Sequence, residues 1–117
     1  PLSNPIQNAF EAADLEVYCN VFIGSWSPIA YVGCIRTKVY HNTIYEPQNW
    51  VIRILQETTE PGFLPCSDNE FINNIVYLQQ DLTEVNIGPN TQPGTFAFAH
   101  NLWSMPPNPV AGPQHCR

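Results

Sequence analysis

The clearest structural signal in the chain is the run LEVYCNVFI at residues 15–23. Apolar side chains recur there at every second position, which is the pattern of a β-strand with one buried face. The predicted buried face consists of Leu15, Val17, Cys19, Val21 and Ile23. The run therefore predicts a β-strand over residues 15–23.

A second strand follows after a turn. Residues 24–28, GSWSP, have the composition of a turn, and residues 31–41 are rich in β-branched and aromatic side chains. If the two strands pair as an antiparallel hairpin, Cys19 faces Cys34, and this is the favoured first disulfide. The same register places Arg36 opposite an apolar residue, so a bulge or another register stays open.

The remaining segments favour a mainly β protein. Residues 50–55 and 95–103 alternate as strands, whereas residues 4–14 carry the start signals of a short helix. Residues 67–82 fit a strand slightly better than a helix, and no internal repeat is recognised. The predicted fold is a small antiparallel β-sandwich or barrel with one short N-terminal helix, stapled by two disulfides. The alternative is an α+β fold with a helix at about 68–82.

Composition limits the function classes. The chain has 117 residues, which favours a single domain, and its formal net charge is −6. A net negative field repels phosphate, so general nucleic-acid binding is not expected. No apolar run approaches the roughly 20 residues of a transmembrane helix.

The four cysteines predict an oxidising compartment, so we expect a secreted, extracellular protein. No C-x-x-C pair occurs, and neither a metal site nor a cofactor is expected. Besides Cys19–Cys34, pairing Cys66 with Cys116 would clamp the Pro-rich tail at 105–117 and stabilise the chain by about 4 kcal/mol. The other two ways of pairing the four cysteines stay open.

Four polar residues could form a catalytic set. His41, Glu46, Arg53 and His100 offer a base, an acid and a cation, the groups that RNA cleavage by 2′-hydroxyl attack requires. The set resembles that of the secreted fungal guanyl-specific ribonucleases. The resemblance implies an acidic hydrolase with Glu46 or Glu57 as base, the histidines as acid or electrostatic partners, and Arg53 on phosphate. The alternative is that these are ordinary surface or half-buried side chains.

Three tryptophans are candidate binding residues. Trp26 falls in a turn, Trp50 at the start of a strand and Trp103 at the end of one, where large rings are often incompletely buried. Exposed rings could stack on sugars or anchor a protein interface. The alternative is that they fill the core of a small β domain.

Two further resemblances concern function. The segment LEVYC at residues 15–19, followed by Trp26 and Cys34, is similar to the strand, Trp and Cys succession of the Alternaria major-allergen-like β-barrel proteins. The whole chain looks like the small cysteine-containing effector or elicitor proteins that filamentous fungi secrete. The resemblance implies a non-enzymatic interaction protein that acts on a host, with a host protein or a cell-surface glycan as partner.

A protease inhibitor is the third functional alternative. Residues 60–66 and 88–94 are Pro-containing loops, and a rigid loop of this kind can enter a protease active site. A disulfide at Cys66 would supply the rigidity. The leading prediction is the non-enzymatic interaction protein, with the hydrolase and the protease inhibitor as alternatives.

Overall fold

The computed structural model of the protein describes residues 9–105, and all strand pairs in this part of the chain are parallel. It contains short strands and one 3-10 turn at Pro93–Thr95. The strands are β1 (Ala12–Ala13), β2 (Glu16–Tyr18), β3 (Val21–Ile23), β4 (Ile29–Val32), β5 (Cys34–Ile35), β6 (Lys38–Tyr40), β7 (Thr43–Tyr45), β8 (Trp50–Leu55), β9 (Glu70–Ile72), β10 (Ile75–Tyr77), β11 (Thr83–Ile87), β12 (Ala97–Ala99) and β13 (Leu102–Ser104).

The chain winds as a parallel β-solenoid. Consecutive strands do not pair with each other; each strand pairs with its counterpart one coil later, which gives a first sheet β2-β6-β9-β12, a second sheet β3-β7-β10-β13 and a third sheet β4-β8-β11. A short pair, β1-β5, lies in the segments that lead the chain into the strands β2 and β6 of the first sheet. We number the coils rung 1 to rung 4, beginning with β2, β6, β9 and β12. Parallel pairing becomes possible because a whole coil separates the partners.

A ladder of four asparagines marks the turn from the first sheet to the second. In each rung the residue before the asparagine has a left-handed backbone, with φ between 53° and 57° at Cys19, His41, Asn73 and His100. Such a conformation is unfavourable for residues other than glycine, by roughly 1–2 kcal/mol. It turns the next side chain inward, where the ladder of Asn20, Asn42, Asn74 and Asn101 forms.

The ladder bonds run in one direction. Asn74 Oδ1 accepts from the backbone N–H and the Nδ2 of Asn42, at 2.9 and 3.0 Å. The side chain of Asn74 donates in turn to Val39 O, Ile72 O and Asn101 Oδ1, at 3.0, 3.0 and 3.2 Å. Every ladder amide therefore connects its own rung to its neighbours, and Asn42 and Asn74 are buried. These bonds satisfy backbone groups that the sharp turn would otherwise leave unpaired.

The core consists of stacked columns of apolar side chains. In the first sheet, Val17, Val39, Phe71 and Phe98 lie above one another in register. The second sheet contributes Phe22, Ile44, Val76 and Trp103, and the third contributes two more columns that include Ile29, Ile52, Tyr31 and Ile54. The middle members of these columns are fully buried, which is where a solenoid gains most of its stability.

Charged residues also stack, on the outside of the coil. Asp14, Arg36 and Asp68 occupy equivalent left-handed positions in successive rungs. Arg36 forms a bidentate pair with Asp14, at 2.7 and 2.9 Å, and this pair lowers the pKa of Asp14. Placing a cation between two acids avoids like-charge repulsion between rungs.

The predicted antiparallel fold and the Cys19–Cys34 hairpin are wrong. The run at residues 15–23 is interrupted at Cys19, whose left-handed backbone reverses the alternation of side chains. Val17 therefore faces the core while Val21 and Ile23 face outward. Residues 31–41 are divided in the same way, because Gly33 and Arg36 have positive φ angles.

Two other structural expectations are corrected. No α-helix occurs among residues 9–105: Ala12–Ala13 is a strand in the segment predicted as an N-terminal helix, and residues 67–82 contain β9 and β10 rather than the alternative helix. The favoured prediction of strand structure in residues 67–82 is thus confirmed. Strand β8 coincides with the strand predicted at residues 50–55. Residues 1–8 and the tail from 106 onward lie outside the described residues.

The disulfide prediction fails in the part of the chain that can be tested. Cys19 is exposed at a turn, whereas Cys34 and Cys66 are buried, and all three are free thiols. Cys116 lies outside the described residues, so the second predicted bridge has only Cys66 within them. The coil is held by stacked strands and side-chain amides instead.

Replacing Asn74 with alanine should destabilise the protein by about 3 kcal/mol, because it leaves buried backbone groups of neighbouring residues unpaired. Urea unfolding measures this change. Asn73→Gly is the matched control: its side chain is exposed and glycine tolerates its backbone conformation, so we expect a change below about 1 kcal/mol. Equal effects of the two substitutions would contradict the ladder's role.

Candidate functional site

The outward side of the second sheet forms an uncharged, largely apolar surface, which we call the outer face. Strands β3, β7, β10 and β13 each contribute their first and third residues, because the middle residue of each points into the core. Val21 and Ile23 are 66 % and 70 % exposed, and Ile75 is 48 % exposed. The eight residues of the outer face are Val21, Ile23, Thr43, Tyr45, Ile75, Tyr77, Leu102 and Ser104.

Two tyrosines stack in the middle of the outer face. The ring centroids of Tyr45 and Tyr77 are 5.0 Å apart and their planes differ by 13°. This stacking covers the facing sides of the two rings and presents their edges and hydroxyl groups to solvent. The Tyr45 hydroxyl also hydrogen-bonds Glu46, which raises the pKa of Tyr45.

A second pair of tyrosines lies around the turn, on the outside of the first sheet. Tyr18 and Tyr40 stack with centroids 5.1 Å apart, and Tyr40 donates a hydrogen bond of 2.8 Å to Glu16. That bond raises the pKa of Tyr40 to about 12. The rigid solenoid thus displays aromatic side chains at fixed positions on two adjoining surfaces.

The proposed catalytic residues lie in three separate segments of the coil. His41 and His100 occupy the same turn position in rungs 2 and 4, with Asn73 between them, so two rung spacings of about 4.8 Å separate their backbones. Glu46 follows β7, at the far end of that strand. Arg53 lies in β8, where its guanidinium is 4.8 Å from the ring centroid of Trp50. Only the two histidines share one part of the surface.

The three tryptophans have three different surroundings. Trp26 is 64 % exposed in the loop before β4, and its carbonyl accepts a backbone hydrogen bond from Asn49. The ring of Trp50 lies against Arg53. Trp103 points into the core and packs near Phe71, with ring centroids 6.2 Å apart. Of the three, Trp26 has the ring most available to a partner.

The two loops considered for protease inhibition line a common cleft. Gln92 donates a backbone hydrogen bond of 3.0 Å to Cys66 O, which joins the loops after β8 and β11. The buried side chain of Gln56 holds the first loop through Thr58 O and Leu64 O, at 2.7 and 3.3 Å. The cleft has a volume of about 370 Å³ and its lining is neutral: Gln56, Thr58, Thr59, Phe63, Pro65, Asn90, Thr91 and Gln92. Hydroxyl and amide groups of this kind can hold a small neutral polar ligand.

A buried pair of thiols lies on the return to the first sheet. Cys34 Sγ contacts Asn69 Oδ1 at 3.8 Å, and Asn69 Nδ2 donates to Cys66 Sγ at 3.6 Å. The neighbouring Cys34 thiol lowers the pKa of Cys66, while the same contact together with burial raises the pKa of Cys34. No group of three potential metal ligands occurs among residues 9–105.

Comparison with known proteins gives no family model, no curated protein and no solved structure that matches the chain. Within the described residues, no helix is long and apolar enough to cross a membrane.

Sequence reasoning missed the outer face because it assigned Val21 and Ile23 to the core. A signal for the correct orientation is present in four short segments, CNVFI, HNTIY, NNIVY and HNLWS, which begin at residues 19, 41, 73 and 100. In each one the second residue is asparagine and the fourth is a core residue. Aligning the four segments would have revealed the rungs and the outward position of the third and fifth residues.

Thiol reactivity tests the placement of the cysteines. In a chain with Cys116→Ser, we expect one thiol to react rapidly with a water-soluble disulfide reagent and two to react only on unfolding, since Cys19 is exposed and the other two are buried. Adding Cys19→Ser should remove the rapid reaction. If only one of the three thiols reacts after unfolding under non-reducing conditions, the other two form a disulfide and this placement is contradicted.

Proposed function

We propose that this chain is a non-enzymatic binding protein that acts outside the producing cell and recognises a host protein through the outer face. The observation that carries the proposal is the exposure of Val21, Ile23 and Ile75 on a rigid sheet. An apolar surface of this kind is commonly a protein interaction site. The extracellular location is a prediction from composition and from the resemblance to secreted effector proteins.

The chemistry of the outer face supports a protein partner over a glycan. A sugar ring binds an aromatic side chain through a free ring face, whereas Tyr45 and Tyr77 cover the facing sides of each other's rings. In its column the pair lies between Ile23 and Ser104, next to a column that contains Val21, Ile75 and Leu102, and the eight residues of the face carry no formal charge. This combination of aromatic edges, hydroxyl groups and aliphatic surface matches the centre of a protein interface.

The dimensions of the outer face suggest a modest affinity. Four strands about 4.8 Å apart span about 14 Å, which is small compared with a standard protein interface. Tyr18 and Tyr40 could extend the contact around the turn at Cys19 and His41. A partner that engages only the outer face should therefore bind weakly and dissociate fast.

Charge insertion tests the proposed function. Ile75→Lys places an ammonium group in the centre of the outer face, and we expect it to weaken saturable binding of the labelled chain to host cells about tenfold or more, equivalent to about 1.4 kcal/mol. Leu64→Lys is the matched control, because Leu64 is 46 % exposed in a loop away from the face. It should bind like the unsubstituted chain.

Treatment of the cells identifies the class of partner. Mild proteolysis of the cell surface should abolish binding, while removal of glycans should preserve it. Binding that survives proteolysis and is lost on deglycosylation would overturn the assignment of a protein partner. Equal binding of the Ile75 and Leu64 variants would exclude the outer face, and RNA turnover abolished by His41→Ala would replace the proposal with the hydrolase alternative.

A further inference from the structure

The first rung of the solenoid presents an unpaired edge with a defined hydrogen-bond pattern. Strand β3 pairs only with β7 among the described strands. Thr43 donates its backbone N–H to Asn20 O at 2.9 Å, and Gly24 donates to Tyr45 O at 3.0 Å. In a parallel ladder this alternation directs the N–H of Val21 away from β7. Within residues 9–105, the Val21 N–H therefore has no acceptor and points away from the coil at the free edge of rung 1.

The last rung presents the complementary groups. Asn20, Asn42 and Asn74 each accept a backbone hydrogen bond through their main-chain oxygen from the next rung, at 2.9 Å in all three cases. The equivalent oxygen of Asn101 has no such donor among residues 9–105. Within the described residues, the Val21 N–H at rung 1 thus lacks an acceptor, and the Asn101 main-chain oxygen at rung 4 lacks a donor.

The asparagine ladder has the same polarity. Asn42, Asn74 and Asn101 each accept through Oδ1 from the rung before, whereas Asn20 Oδ1 has no donor within the described part of the chain. Asn101 Nδ2 donates to Phe71 O at 2.9 Å. Within residues 9–105 it donates to no side-chain oxygen of another asparagine. At its two ends the ladder therefore presents an acceptor, Asn20 Oδ1, at rung 1 and donors, the amide groups of Asn101, at rung 4.

Within the part of the chain that the structure describes, the apolar core is uncovered at both ends, and the two ends are complementary in shape. Phe98 belongs to an inward column and is nevertheless 43 % exposed, because no described strand lies beyond it. At the other end, an apolar pocket of about 290 Å³ opens beside β2 and β3, and its walls include Leu15, Val17, Phe22 and Ile29. An aromatic projection and an apolar recess therefore occupy equivalent places at the two ends.

We propose that the chain self-associates head to tail, with rung 4 of one copy continuing the solenoid below rung 1 of the next. The internal pattern defines the contacts: Val21 N–H would bond Asn101 O, the Asn101 amide groups would bond Asn20 Oδ1, and Phe98 would cover Val17. Such an interface joins two different surfaces of one molecule, so it does not close and generates open linear assemblies. The association is independent of the proposed host partner.

Val21→Pro blocks this contact without removing a bond inside the molecule, because the N–H of Val21 faces away from β7 and proline is tolerated at such an edge. By sedimentation velocity, the average mass of the unsubstituted chain should rise with concentration above the monomer value of 13.2 kDa. The Val21→Pro chain should stay at the monomer value, while Val21→Thr, which keeps the N–H, should assemble.

Mixing the chains tests the direction of assembly. Val21→Pro retains an intact rung 4, so adding it to the unsubstituted chain should cap growing assemblies and lower their average mass. A monomeric unsubstituted chain at every concentration would overturn the proposal. Assembly of the Val21→Pro chain to the same mass would overturn it too, because another surface would then mediate association. Circular dichroism would confirm that the variant is folded.

Discussion

The asparagine ladder is the interaction on which the rest of the structure depends. Each rung must turn sharply between two short strands, and it does so through a left-handed residue that costs roughly 1–2 kcal/mol. The buried amides of Asn42 and Asn74 compensate by bonding backbone groups of two rungs at once. The ladder also fixes the register of the strands on either side. Every core column and every surface column follows from that register.

The same register separates the surfaces of the coil by chemistry. The side bearing Asp14, Arg36 and Asp68 alternates in charge from rung to rung, whereas the eight residues of the outer face carry no formal charge. Loops of different length leave the coil between β8 and β9 and between β11 and β12, and they form the neutral cleft. A solenoid can carry several independent surfaces in this way, because each column is determined by one position of the repeat.

The sequence predicted strands more successfully than their arrangement. Segment 50–55 could be recognised because it is an apolar run that no left-handed residue interrupts, and its bounds agree with β8. The run at 15–23 looked equally regular, but alternation cannot reveal that Cys19 turns the chain and reverses the face of Val21. The repeat was hidden because the ladder asparagines are 22, 32 and 27 residues apart, so the chain has no fixed period. The outer face depends on this reversal, and the catalytic set was inferred from residue types whose positions the coil keeps apart.

A through-hydrogen-bond coupling measured by NMR tests the asparagine ladder most directly. The structure predicts a coupling between the backbone nitrogen of Asn42 and the side-chain carbonyl carbon of Asn74, since these groups are joined by a bond of 2.9 Å. The Asn42 amide proton should also exchange slowly with solvent, because the residue is buried. Rapid exchange of that proton, or a coupling from Asn42 to a backbone carbonyl across an antiparallel hairpin, would contradict the ladder and the parallel solenoid built on it.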